Sequence, residues 1–208
     1  MNQISGQTSE NAIMKKLNRE DLFSLEKYAE VRPQFRAQVM AHKQNRQVSI
    51  GPNATLYFED RMTMQYQVQE MLRIERIFEA GGINEELEAY NPLIPDGSNW
   101  KATFMVEFPD VEERRVALKR LKGVENKVWA RVAGFEPVRP HVDEDLERED
   151  EEKTSAVHFM RFELTPEMVK AVKQGAAISM GIDHPAYNHQ VDPIPAATRD
   201  SLAQDLSG

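Results

Sequence analysis

Two of the five histidines in this 208-residue chain, His184 and His189, lie five residues apart in the stretch "GIDHPAYNHQ". Neutral imidazole is the commonest side-chain ligand of protein metal sites. Cysteine is absent, which excludes a cysteine-ligated iron–sulfur cluster, so a metal would be held by histidines and carboxylates. Such a mixed set suits iron, manganese or zinc. The alternative interpretation is an ordinary surface loop in which the two histidines are incidental.

A third histidine joins these two through the period of the predicted strands. His158 is in phase with Met160 and Phe162 in "SAVHFMRFEL", and His184 is in phase with Met180 in "AAISMGIDH". Because successive side chains of a strand point to opposite faces, both histidines are predicted on an apolar face. The alternative is that each is a hydrogen-bonded histidine of the core.

The carboxylates come from the long helix predicted over residues 61–80. On a wheel of about 100° per residue, Glu75 falls inside the apolar stripe and Glu70 falls between two isoleucines. A carboxylate among apolar residues has to be paired, protonated or bound to a metal, because burying it alone is expensive. Glu75 could instead form an ion pair with an arginine. The predicted metal ligands are therefore His158, His184, His189, Glu75 and Glu70, and the arginines considered for Glu75 are Arg32, Arg36 and Arg73.

The elements that must position these residues form an α+β protein. Residues 99–192 alternate as strand, helix, strand, strand, helix, strand, which predicts a βαββαβ (ferredoxin-like) antiparallel sheet with spatial order 4-1-3-2. In that order His158 and His184 reach the same edge two strands apart, about 9.6 Å, and can converge on one ion.

The remaining segments are arranged around this sheet. Residues 1–17 are polar and aperiodic, which predicts a disordered arm, and residues 18–98 predict a helical region with a β-hairpin at "QVSIGPNATLYFED". Residues 193–208 form a C-terminal tail, either loose or with a short helix. Together these segments are predicted to make one compact domain.

The charge of the chain is unevenly spread. Of the net −8, residues 143–152, "DEDLEREDEE", contribute −7 through eight acids and one arginine. This segment is predicted to be a solvated loop, with a docking patch for a basic partner as the alternative. Nucleic acid is not expected as a partner because no dense basic stripe occurs.

Membrane insertion is not expected either, because no apolar run reaches about 18 residues. The first residues lack the apolar core of a secretory signal, which favours a cytoplasmic location. A free sheet edge would allow a homodimer. The chain has no Gly-x-Ser-x-Gly, no dinucleotide-binding glycine pattern and no His-Glu-x-x-His, so no reaction is indicated.

Four long blocks resemble an uncharacterised bacterial family, domain-of-unknown-function family 3501. They are "REDLFSLEKYAEVRPQFR", "GPNATLYFEDRMTMQYQVQEMLRIERI", "NPLIPDGSNWKATFMVEFPDVEERR" and "GIDHPAYNH", and the resemblance covers about residues 15–206. It supplies no catalytic residues. Genes of this family neighbour those of rubrerythrin and of an iron–sulfur oxidoreductase subunit, which implies peroxide defence or electron transfer.

The leading hypothesis is therefore an accessory protein of a bacterial redox or peroxide-defence system that holds a mononuclear non-haem metal. In its strong form the protein is a metal-dependent oxidoreductase. A second hypothesis is a metal-free interaction module that binds a rubrerythrin-like or iron–sulfur partner through the acidic loop or the tail. A third is a haem- or small-ligand-binding α+β domain, with His158 or His184 as the axial ligand.

Overall fold

The computed structural model describes residues 15–143 and 153–207, and these contain six α-helices and eight strands. The helices are α1 (Leu25–Lys43), α2 (Arg61–Glu75), α3 (Ala80–Tyr90), α4 (Val111–Arg120), α5 (Pro166–Lys173) and α6 (Ala196–Ala203). The strands are β1 (Gln47–Ser49), β2 (Ala54–Glu59), β3 (Asn99–Val106), β4 (Val128–Val132), β5 (His141–Val142), β6 (Val157–Glu163), β7 (Ile178–His184) and β8 (Tyr187–Val191). Short 3-10 turns occur at Arg19–Asp21, Asn91–Leu93 and Val124–Lys127.

Two predicted segments lie largely outside these residues. Of the predicted arm, residues 1–14 are not described, whereas Leu17 is buried against the helical region. Of the acidic segment, residues 144–152 are not described. The arm therefore gives way to packed structure by Leu17.

Two helix boundaries differ from the prediction. The residue before a proline avoids the helical region, so Arg32-Pro33 predicts a break between two helices. That break is absent, because α1 continues through Pro33 and buries Tyr28 on one side of it and Val39 on the other. Packing on both sides outweighs the hydrogen bond that proline removes. The long helix α2 ends at Glu75 rather than at residue 80, because Arg76 caps it in the left-handed region with φ 55°.

The strands form two antiparallel sheets rather than the predicted single sheet. The first has the order β1-β2-β3-β6-β5 and the second the order β4-β7-β8. Of the pairs required by a ferredoxin-like sheet, β3 with β6 is observed. The place beside β3 that β7 would take is occupied by β2, which pairs with β3 over six residues. The α+β class is confirmed, and the predicted 4-1-3-2 order is replaced by these two sheets.

The stretch "GIDHPAYNHQ" is a hairpin and not a loop. His184 ends β7, Tyr187 begins β8, and the two residues pair directly. Strand β7 uses its other edge to pair with β4. The histidines of this stretch are therefore fixed by strand pairing on the second sheet, whereas His158 belongs to the first.

One buried cluster contains residues of both sheets and of α4, α5 and α6. The predicted C-terminal tail belongs to it, since Leu202 and Leu206 are fully buried and Trp100 donates its indole N–H to the Leu202 carbonyl at 3.0 Å. A smaller second cluster lies among the 3-10 turns, α2 and α3. Within the described ranges, no helix combines the length and the apolar character needed to cross a bilayer.

Candidate functional site

His184 is buried at the end of β7, as its strand phase predicts, but both ring nitrogens contact the backbone. Its Nε2 lies 3.2 Å from the Lys122 carbonyl and its Nδ1 accepts the Ala186 N–H at 3.2 Å. One nitrogen is thus the donor and the other the acceptor, which is the pattern of a neutral ring. The side chain fastens the β7–β8 hairpin to the turn that follows α4.

His158 is also buried and lies in a chain of polar groups. Its Nδ1 is 2.6 Å from Oδ2 of Asp143, and its Nε2 is 2.9 Å from Oγ1 of Thr154, which itself donates to Glu125 at 2.8 Å. Nε2 is also 3.1 Å from the Ser155 carbonyl. Both ring nitrogens therefore have oxygen partners in the protein. These contacts of His158 connect β6 to Asp143, which precedes the strand in the chain, and to Thr154 just before it.

His189 is exposed on β8 and lies against the neighbouring ring of Tyr187, with 4.6 Å between the ring centroids. The Tyr187 hydroxyl donates to the Ile50 carbonyl at 2.8 Å and accepts from the Asn53 N–H at 2.9 Å. These contacts hold the β1–β2 turn on β8. Both side chains thus connect the two sheets.

The two glutamates have different surroundings. Glu70 accepts two bonds from Arg32, at 2.7 and 2.8 Å, and a third from the Tyr28 hydroxyl at 2.8 Å. The bonds from Arg32 lower the pKa of Glu70 to about 2, against a smaller opposing effect of burial. Glu75 is exposed at the last residue of α2. The ion pair with Arg32 that was considered for Glu75 is made by Glu70.

The five predicted ligands are therefore spread over four elements, β6, β7, β8 and α2, and are not brought to one point. Within residues 15–143 and 153–207, no group of three or more histidine or acidic side chains is arranged to hold a metal ion. Each buried member of the set has hydrogen-bond partners in the protein instead.

A cavity of about 540 Å³ lies between the C-terminal end of α3 and the outer face of the first sheet. Its walls include the apolar side chains of Tyr90, Leu93 and Phe159. Polar residues complete it. These are Glu88, Lys101, His141, Asp143 and Arg161.

Three basic residues of this cavity form a row across adjacent strands. Lys101 of β3 pairs in register with Arg161 of β6, which in turn pairs with His141 of β5. Neighbouring strands are about 4.8 Å apart, so these side chains start close together on one face. Like charges directly opposite each other repel, and an anion between them relieves that repulsion.

The charges around the row are partly balanced. Glu163 forms an ion pair with Arg161, and Asp143 is held by His158. Lys16 lies nearby and donates to the Asn91 and Ile94 carbonyls at 2.7 and 2.8 Å. Burial and then the charge of Lys101 lower the pKa of Lys16. Asp96 opposes this effect, so the neighbourhood of Lys101 contains a second positive charge and a carboxylate.

Sequence reasoning missed this row, although part of its signal was present. Strand alternation in "WKATFMVEF" puts Lys101 opposite the buried face, and the same alternation does so for Arg161. Strand β5 has only two residues, too few for an alternation to be seen, and the register between strands is set by distant contacts.

A second polar cluster, buried near the C terminus, was also missed. The side chain of Arg46 is 1% exposed and donates to Asp205 at 2.6 Å, while its Nε lies 3.3 Å from Asp60. Burial raises the pKa of Asp205 to about 7, against the opposing charge of Arg46. Burial would also raise the pKa of Asp60, but His42 and Arg46 outweigh it and lower that pKa to about 2. Arg46 thus has Asp60 as its ionised partner.

Comparisons with known proteins bear on the family and the fold. The family model described as "Protein of unknown function (DUF3501)" matches residues 16–206. The crystal structure at 1.90 Å resolution of a novel protein of unknown function from Burkholderia pseudomallei K96243 is similar to this chain with a TM-score of 0.89 and 51% identity. The match covers 93% of this chain and 100% of that one. No curated protein matches the chain.

Proposed function

We propose that this chain, which belongs to the DUF3501 family of proteins of unknown function, binds a small organic anion in the cavity beside α3. The observation that carries the proposal is the row of Lys101, Arg161 and His141 on the floor of a cavity of about 540 Å³. Ligand sites in proteins typically have volumes of about 300–1,000 Å³, with mainly apolar walls and a few polar groups that fix orientation.

The acidic group of the ligand is expected to lie over the row. Arg161 presents a planar guanidinium and Lys101 an ammonium, and both form charge-assisted hydrogen bonds with carboxylate, sulfonate or phosphate oxygens. The ion pair with Glu163 limits the orientations that the Arg161 side chain can take. The ligand therefore has at least one negative charge.

The body of the ligand is expected to be apolar or aromatic. Phe159 projects from the outer face of β6, is half-buried, and lines the cavity together with Tyr90 and Leu93 of the helical region. His158 and His184, the predicted axial ligands of haem, do not line this cavity. Of the third hypothesis, a haem- or small-ligand-binding domain, the proposal therefore retains the small ligand and not the haem.

The test uses two fluorescent probes that differ in charge. The organic anion 8-anilinonaphthalene-1-sulfonate is titrated into the full chain beside the neutral N-phenyl-1-naphthylamine, which lacks the sulfonate. We expect saturable binding of the anion, about tenfold weaker in Lys101→Gln because one charge-assisted contact is worth about 1.4 kcal/mol or more. Binding of the neutral probe should change little in this variant.

The matched control is Arg115→Gln, which removes a positive charge from an exposed position on α4 that lies away from the cavity. It should leave the affinity for the anion unchanged. Equal affinities of the wild type and Lys101→Gln for the anion would contradict the proposal, as would a preference for the neutral probe.

The accessory role in redox or peroxide defence, and a rubrerythrin-like or iron–sulfur partner, stay predictions from the family resemblance. Of the two predicted docking segments, the acidic loop falls mostly in residues 144–152, outside the described ranges. The tail is packed into the core through Leu202 and Leu206.

A further inference from the structure

The helical region has an apolar groove that no other described element fills. Its volume is about 700 Å³, and it runs between the segment before α1 and the turn that joins α2 to α3. The apolar residues that line it are Leu22, Phe23, Leu25, Leu72, Ile77 and Ile83, together with Phe78. It lies apart from the organic-anion cavity, with which it shares no lining residue.

A large apolar side chain stands exposed at this groove. Phe78, at its rim, is 73% exposed. It follows the early end of α2, where the left-handed Arg76 turns the chain away from the helix direction. Contiguous exposed apolar surface of this kind marks interaction sites.

The charge beside the groove is negative, whereas Arg19 and Glu20, which also line the groove, offset each other. Residues 74–88, which form the α2–α3 turn and most of α3, contain five glutamates and one arginine, a local charge of −4. Glu75, Glu85 and Glu86 lie close together, since burial and then the other two carboxylates raise the pKa of Glu86. A partner of opposite charge would relieve this crowding.

We propose that the groove docks an amphipathic helix of a partner protein whose polar face is basic. Apolar side chains spaced three and four residues apart enter the groove against Phe78 and Ile77, and lysines or arginines face Glu75 and Glu79. A second copy of this chain is disfavoured as the occupant, because it would bring one acidic turn against another.

The probe is a synthetic 18-residue helix in which leucines follow the helical repeat and all other positions are lysine, labelled for fluorescence anisotropy. A peptide with glutamate in place of lysine tests the charge. We expect the lysine peptide to bind the full chain with an affinity that falls as salt is raised, and the glutamate peptide to bind at least about tenfold more weakly.

The decisive variant is Phe78→Ser. Because Phe78 is mostly exposed, its loss should leave the unfolding midpoint unchanged. The affinity for the lysine peptide should fall at least about tenfold. The matched control is Val116→Ser, which removes an apolar side chain that is 60% exposed on α4, away from the groove. This control should bind the peptide as the wild type does.

The remaining outcomes also decide the matter. Equal binding of the lysine peptide by Phe78→Ser and by the wild type would overturn the proposal, because the attraction would then be general to an acidic protein. Self-association in analytical ultracentrifugation that Phe78→Ser abolishes would assign the groove to a second copy instead. Lys101→Gln should leave peptide binding unchanged, which separates this proposal from the organic-anion site.

Discussion

At the scale of single residues, the partners of each histidine decide what its ring can do. His184 uses one nitrogen as a donor and the other as an acceptor, both toward the backbone. His158 faces Asp143 on one side and Thr154 on the other. A metal ion would have to displace these contacts, and the buried groups left behind would lose their hydrogen bonds at a cost of about 1–3 kcal/mol each.

The first prediction concerns His184→Ala. Loss of the ring removes the bonds to Lys122 and Ala186 from a buried site, so we expect the free energy of unfolding to fall by about 2 kcal/mol. Urea denaturation measures this change. The control is His189→Ala, an exposed position of the same hairpin, which should cost less.

The same two variants test the predicted metal ligands. Elemental mass spectrometry on tag-free protein, purified without a chelator, should give an iron, manganese and zinc content that neither substitution changes. Near-stoichiometric metal that disappears in His184→Ala or His189→Ala would show instead that the hairpin binds metal, and would return the metal hypothesis to first place.

At the scale of elements, local sequence signals were enough to predict where a helix starts and which face of a strand is buried. The Thr-Pro pair that opens "TPEMVKAVKQG" predicts a cap and a first helical residue, and Thr165 does cap α5 while Pro166 begins it. Strand β3 buries alternate residues from Trp100 to Val106. The end of α2 was not predictable in this way, because Arg76 stops it in a conformation that arginine rarely adopts. The helical wheel was therefore extended too far, and it placed Glu75 in a stripe that ends there.

Strand pairing was the other limit of local signals. Alternation correctly predicts that His158 and His184 are buried, but it does not say which strands become neighbours. The contacts that separate them, β2 with β3 and β4 with β7, join residues far apart in the chain. The row that includes Lys101 also depends on strand pairing. For this reason the sequence alone could predict neither that the proposed metal ligands lie apart nor that the cavity beside α3 is present.

The element-scale prediction concerns the β1–β2 turn. Gly51 has φ 74°, and a Cβ there would lie 2.7 Å from the ring of His189 and from the Tyr187 hydroxyl. Gly51→Ala therefore combines backbone strain with a collision against β8, and we expect it to cost about 3 kcal/mol. Gly134→Ala has a similar φ of 89° but open space around it, so it isolates the strain alone.

Thermal unfolding of the two glycine variants separates these effects. Gly51→Ala should lower the midpoint clearly more than Gly134→Ala does, because only the first presses against the second sheet. Equal midpoints would mean that the contact of the turn with β8 adds nothing to stability, and that backbone strain accounts for both losses.

At the scale of the whole molecule, one buried contact between a guanidinium and a carboxyl group joins distant parts of the chain. Arg46 immediately precedes β1 and Asp205 follows α6, yet their side chains meet at 2.6 Å with almost no exposure. The second carboxylate oxygen of Asp205, Oδ1, has no hydrogen-bond partner. This arrangement fastens the C-terminal segment to the first sheet through a carboxylate that is costly to ionise.

The stability of the fold should therefore depend on pH in a specific direction. Because the pKa of Asp205 rises from 3.8 in the unfolded chain to about 7 in the fold, the folded state binds this proton more tightly. Its contribution to stability is complete below about pH 4 and is lost as the pH rises through 7. Asp60 and Glu70 act oppositely, because their pKa values near 2 give stability that is present above about pH 4 and lost below it.

Urea denaturation between pH 4.5 and pH 8 tests the contribution of Asp205. We expect the wild type to lose stability as the pH rises, and Asp205→Asn, which keeps an oxygen to accept from Arg46 but cannot ionise, to show a flatter profile. Both proteins keep every other ionisable group, including His42 beside Asp60, so the difference between the two profiles carries the result. Parallel profiles would mean that Asp205 is ionised throughout and that Arg46 fully offsets its burial.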